Sequence, residues 1–381
     1  MAPAELAVEP AHPSLQTPRK AKTYNRIKLT TGIASAVLSF VVLLLLVLSG
    51  LTRGLDDWVR SWVANNYLSL LAFSFILGLF QTAITLPLSF YSGYVLEHQY
   101  QLSNQSLGRW AWEHLKGVLV SIPVVVAVLL FLYYCLNTYQ ALWWLPVSLG
   151  LIFLSVVLAR VAPVLILPLF YKLTPLPDSS LKEKIVDLCR SSRVKIDGIF
   201  TFNLSKNTRK ANAAFTGIGR AKRIILGDTL VKEFTEEEIE TVFAHELGHY
   251  TFHHIRTGII ISIISTLVGL AITAQLYSWS IGVLGFSSIT QLAALPLLAI
   301  WLSLFGLVTS PLGNIISRRH ERQADAYAVR KTGRREAFLS ALHKLESMNL
   351  ADPDPHPWVE FLFYSHPSIA KRVGAVEAVG P

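Results

Sequence analysis

Six stretches of this sequence are too long and too apolar to be read as the core of a water-soluble domain. They fall at about 29–52, 67–94, 117–137, 142–170, 253–278 and 290–314. A helix needs about 20 mostly apolar residues to cross a bilayer, and each run meets that requirement. Hydrocarbon offers no hydrogen-bonding partner, so each run must satisfy its own backbone, as a helix does. Pro87, Pro123, Pro146, Pro163 and Pro296 lie inside these runs, where packed neighbours can accommodate them. Composition agrees: 52% of residues are hydrophobic and 15% charged, against about 25% charged in ordinary soluble domains. The expected fold is therefore mainly α, a polytopic transmembrane helical bundle of about six spans. Residues 1–28 read as a disordered basic tail, 29–170 as an N-terminal transmembrane region of about four spans, and 171–381 as a more polar region containing the last two. The run after Arg26 and Lys28 is longer than a signal-peptide core, so it reads as a retained span.

The net charge of +9 follows from the same topology. All but four of the 34 Lys and Arg residues lie in segments that share one side if there are six spans. Lys and Arg accumulate in cytoplasmic loops, so both termini and the long polar blocks are expected in the cytosol. Trp58, Trp62, Trp143, Trp144 and Trp279 then fall near the opposite interface. There is no basic stripe interleaved with aromatics, and nucleic acid is not an expected partner. Cys135 and Cys189 lie in an apolar and a polar segment respectively, so neither a disulfide nor a thiolate metal site is expected.

The chemistry lies in the polar blocks. Residues 199–202 read as a strand and 212–227 as a hairpin; Thr235 with Glu238 forms a capping-box signature that starts a helix near Glu236. That helix carries His245-Glu246-Leu-Gly-His249. Histidines four apart share one helix face, so both imidazoles can reach one ion, while Glu246 can serve as general base. The blander reading is a pair of surface histidines on an amphipathic helix. Gly248 is a residue helices seldom keep without a packing reason, and it suggests close approach of a strand or a substrate backbone. A catalytic zinc needs a third protein ligand. His253 and His254 are close enough to be considered, whereas Ile255 stands where the metzincin pattern requires histidine. Glu321, with Asp325 one turn later, is the better candidate: one carboxylate to bind metal and one to orient a ligand histidine. Three nearby arginines also allow a solvated charged face.

The helix motif followed by a distal Glu-x-x-x-Asp resembles the type I CAAX prenyl protease family of membrane gluzincins. The resemblance extends from about residue 67 to 372. It includes Leu86–Glu97 (LPLSFYSGYVLE), the segment from Pro168, the Ser205–Thr229 stretch and Ser365-His366-Pro367. It implies a zincin-like α+β metalloprotease region facing the cytosol, and one Zn2+ per chain held by His245, His249 and Glu321. Glu246 would be base and proton shuttle, and Asp325 would support a ligand. Asn212 and Ala213 would begin a strand that pairs with an extended peptide, and His366 and Arg372 would lie near the metal, with His366 stabilising the oxyanion. The implied partners are the lipid bilayer and a peptide or membrane-associated protein substrate. The implied membrane is the plasma or inner membrane in a prokaryote and the endoplasmic reticulum in a eukaryote. Two other readings remain at this point. One is a heat-shock-type quality-control zinc protease; the other is a non-enzymatic transporter or binding protein, for which Arg160 within the fourth span would be the witness.

Overall fold

A computed structural model describes residues 13–216 and 223–378. Six of its helices are long and apolar enough to cross a membrane, as the hydropathy pattern predicts. They are α1 (Pro13–Leu48), α3 (Asn66–Gln99), α4 (Leu107–Tyr139), α5 (Trp144–Phe170), α9 (His254–Val283) and α10 (Pro296–Thr332). Their outer faces are what water would not tolerate: Phe75, Phe153 and Val308 are 69%, 71% and 74% exposed. Exposed aromatic and aliphatic surface on this scale belongs against lipid. The prolines are absorbed as expected. Pro87 and Pro163 each sit at or just before a single π-helical turn, at Tyr91–Val95 and Ala162–Ile166, where the backbone ladder shifts register.

One expectation needs correction. The chain is helical from Pro13, inside the stretch that composition assigned to a disordered tail; residues 1–12 lie outside the described residues. The reason is packing that composition does not reveal: Ala21 and Tyr24 are buried against Leu96, Leu102 and Leu350. Trp143 belongs to the core, packed edge-on against Tyr277, while Trp58, Trp62 and Trp279 are exposed. Both cysteines are free and buried in separate clusters.

The short amphipathic helix α2 (Leu51–Arg60) closes one end of the bundle. Its buried Asp56 accepts from the Ala293 amide and pairs with Arg60. At the other end lies a four-stranded sheet in the order β1 (Leu173–Pro175), β2 (Gly198–Phe202), β4 (Arg223–Gly227), β3 (Ala213–Thr216). The β2–β4 pair is parallel and the others antiparallel, so β3 is an edge strand. The expected hairpin is present as Ala213↔Leu226 through Thr216↔Arg223, and its turn lies outside the described residues. The sheet packs on α6 (Ser180–Ser191) and α8 (Glu236–Thr251) through Ile185, Ile199, Ile224, Leu226, Phe243 and Leu247. Helix α7 (Asp228–Glu233) joins β4 to α8; α11 (Arg335–Asn349), α12 (Pro357–Phe363) and α13 (Ile369–Glu377) complete this region.

Candidate metal centre

Helix α8 starts where the capping box places it. The Thr235 amide donates to Glu238 Oε2 at 2.8 Å, and the Glu238 amide to Thr235 Oγ1 at 3.3 Å. Three turns further on, His245 and His249 share a face, with their Nε2 atoms 3.2 Å apart. The third group arrives on α10. This helix has 37 residues, about 55 Å at 1.5 Å per residue. That outruns a hydrocarbon core of about 30 Å, so its C-terminal part continues past the span. Glu321 lies on that part, with Oε1 3.2 Å from His249 Nε2 and Oε2 3.5 Å from His245 Nε2. Gly248 makes the approach possible. A Cβ there would lie 3.0 Å from Ala324 Cα and 3.2 Å from Tyr327 Cδ1. The close neighbour is thus a helix, where the sequence suggested a strand or substrate.

Do these residues fit a zinc ion? Zinc–nitrogen bonds of about 2.0–2.1 Å in a tetrahedron give ligand–ligand edges of about 3.3–3.4 Å. The two Nε2 atoms are 3.2 Å apart, one Glu321 oxygen lies 3.2 Å from His249 Nε2 and the other 3.5 Å from His245 Nε2, so both imidazoles and the carboxylate are within reach of one ion. Glu321 Oε2 is also buried without an aligned hydrogen-bond donor, a cost that a cation would remove. The donor set is the only such group of His, Cys, Asp and Glu among the described residues. It fits zinc.

The two histidines are held differently. Behind His245, Asp325 Oδ1 lies 2.8 Å from Nδ1, an ion-pair approach without the alignment of a full hydrogen bond. Asp325 is gripped in turn by Arg372, through Nε at 2.9 Å and Nη2 at 2.6 Å. Burial lowers the His245 pKa, but Asp325 and Glu321 outweigh it and push the group up to about 9. A bound cation would take the place of that proton. Burial likewise works against the Arg372 charge, and Asp325 more than offsets it, so its pKa is raised.

Behind His249 stands a neutral chain. Its Nδ1 is 3.1 Å from His254 Nδ1, and His254 Nε2 is 2.9 Å from Gln323 Oε1. The Gln323 oxygen can only accept, so His254 carries its proton on Nε2 and accepts on Nδ1. His249 must then donate from Nδ1, which leaves the Nε2 lone pair facing the triangle. His320 stacks on His254 at 3.9 Å. His254, considered above as a ligand, therefore lies behind one. His253 is exposed and left-handed, at φ +58°, where α8 gives way to α9.

Glu246 is half-buried and lines two cavities, of about 550 and 300 Å³, that meet at the metal triangle. The larger is also walled by Asn212, Ala213, His366 and Arg372. His366 has its Nδ1 2.9 Å from Glu321 Oε2 and is 64% exposed. Its segment is placed by Arg318, which donates to the carbonyls of Glu360 and Tyr364. Arg372 belongs to this wall, but the Asp325 fork engages two of its nitrogens. Asn212 is anchored beside β4 by the Gly227 amide at 2.8 Å. Asn349 holds the preceding residue, accepting from the Ala211 amide at 3.0 Å and donating to its carbonyl at 3.3 Å. Lys210, one residue earlier, pairs with Glu97 at 2.8 Å; Glu97 also binds Lys28 and Tyr24 of α1. The sequence singled out Glu97 without its partners, and it gave no role to Gln323 or Asn349.

The sequence model of peptidase family M48 matches residues 175–379, and that of the CAAX prenyl protease N-terminal region, five membrane helices, matches residues 2–172. Four of the six span-length helices lie within the latter segment. The chain is 30% identical to the uncharacterized metalloprotease YhfN of Bacillus subtilis (strain 168), over 99% of this chain and 86% of that protein. It is 30% identical to CAAX prenyl protease 1 of Saccharomyces cerevisiae, over 84% and 75% respectively. The crystal structure of S. mikatae Ste24p superposes with a TM-score of 0.85 at 27% identity, covering 95% of this chain and 89% of that one.

Proposed function

This chain belongs to peptidase family M48 and is an integral-membrane metalloprotease, and from that premise we propose how its residues cleave a peptide. One zinc per chain is held by His245, His249 and Glu321. When bound, it supplies a Lewis acid that polarises the scissile carbonyl and makes water a better nucleophile. An extended peptide lies along the edge strand β3 at Asn212 and Ala213, bonding backbone to backbone as an added strand. Glu246 takes a proton from the attacking water, whose oxygen bonds to the carbonyl carbon. Glu246 then delivers the proton to the departing amine as the C–N bond breaks. His366, exposed in the same cavity, donates to the carbonyl oxygen as it gains negative charge. Arg372 acts through Asp325 and keeps His245 aimed at the metal.

The observation that carries this reading is the convergence of a His–His–Glu group able to hold one metal ion, an adjacent carboxylate and an edge strand on one cavity. The asymmetry of Lys and Arg supports a cytosolic site with both termini on that side. A cavity between the polar part of α1 at Asn25 and α10 at Glu321, with an apolar groove along α1 beside it, suits a hydrophobic or membrane-tethered peptide. With the family established, the transporter reading gives way, and the match across residues 2–172 favours the CAAX-type enzyme over the heat-shock type. The test is to purify the protein in detergent, measure its zinc and follow a quenched peptide with and without chelator. Glu246→Ala should retain zinc and lose cleavage by about 10²–10⁴-fold, while Glu321→Ala should lose zinc. Wild-type cleavage by Glu246→Ala would sink the mechanism.

A further inference from the structure

Helix α10 presents its metal ligand on one face and a row of arginines on the other. Arg319, Arg322 and Arg330 are exposed, and none pairs with another side chain among the described residues. By contrast Arg318 is matched to carbonyls, Arg334 to Glu240 and Arg372 to Asp325. The three unmatched ones line a cavity of about 710 Å³ with Phe252, Gln323 and Tyr327, and no acidic residue shares its wall. At 3.6 residues per turn, Arg319 and Arg330 lie about 160–180° around the helix from Glu321, so the cavity opens away from the metal.

Its depth identifies the occupant. The lipid-facing side chains of α10 (Val308, Leu312 and Ile315) stop one turn before Arg319. Those of α9 begin at Ile255 and continue through Ile259, just past the exposed Phe252. The cavity therefore straddles the level at which both spans leave hydrocarbon. Arg319 and Arg322 are about 4.5 Å apart along the axis, within a headgroup layer of about 5–8 Å per leaflet. Guanidinium groups bind phosphate oxygens in forked pairs, and Phe252 offers an apolar floor where acyl chains begin. We propose that this cavity binds the headgroup of an anionic phospholipid. Arg319 and Arg322 hold its phosphate, and Arg330, about 12 Å beyond Arg322, lies outside that layer and adds only to the local positive charge.

The full chain would be reconstituted in nanodiscs of phosphatidylcholine with phosphatidylglycerol, then released and weighed by native mass spectrometry. Phosphatidylglycerol should be retained in preference to phosphatidylcholine. A basic residue at an anionic surface is worth about fivefold, so Arg319→Gln with Arg322→Gln should cut retention roughly 25-fold. Zinc content and melting temperature should stay unchanged. The control is an equal charge loss on α6, Lys182→Gln with Arg190→Gln, which should leave retention intact. Equal retention of the two lipids by the wild type overturns the proposal without recourse to any variant. So does an equal fall in the α6 control, which would mean diffuse attraction, or displacement by inorganic phosphate, which would mean a site for the free anion.

Discussion

The His245 and His249 sides of the centre do the same job by opposite means. On one side a buried carboxylate–guanidinium pair backs the imidazole; on the other a histidine and an amide do so with no formal charge. The charged side ties α8, α10 and α13 together, so its loss should be felt by the fold as well as by the metal. The neutral side ties α8 to the start of α9 and to α10, and transmits only orientation. Support for a ligand can thus be coupled to stability or kept apart from it, and this centre contains both arrangements.

Three substitutions test that contrast, the largest effect first. Asp325→Ala should strand the buried Arg372 and cost about 3–5 kcal/mol of stability, with zinc affinity down about 10–100-fold. Thermal melts of the metal-free protein should reveal it; an unchanged melt would mean that the pair does not serve the fold. His254→Ala should also lose about 10–100-fold in zinc affinity, but should leave the metal-free melt nearly in place. Partial recovery by His254→Asn, which keeps an acceptor, would mark the loss as one of orientation. A melt lowered as much as that of Asp325→Ala would erase the contrast. Gln323→Leu should be mildest. It removes one hydrogen bond worth about 1 kcal/mol, hence about fivefold in zinc affinity, and a larger loss than His254→Ala would contradict the chain as drawn.

Which parts of this were legible beforehand follows from what a single sequence encodes. Periodicity along one helix was enough to bring His245 and His249 to one face, and the capping box marked where that helix begins. Glu321 and Asp325 could be paired by spacing, because they too share a face. Hydropathy was sufficient for six spans, since a bilayer constrains each one separately. What depended on neighbours was not readable. Gln323 lies between Glu321 and Asp325 in sequence but faces away from both, and its partner sits 69 residues earlier. The early start of α1 rests on Tyr24 meeting Glu97 and Leu96, contacts between segments with no common pattern. Gly248 announced a close approach without saying to what.

That close approach has a mechanical consequence. With no side chain at Gly248, α8 lies directly on α10, which runs unbroken from the lipid to Glu321. The next span, α9, is joined to α8 through the left-handed turn at His253. The chain thus has a mast with the candidate metal centre bolted to it, and a swivel just below. A membrane that tips one span against the other would bend the swivel first, and because His254 stands just past it, the strain would reach His249 before His245.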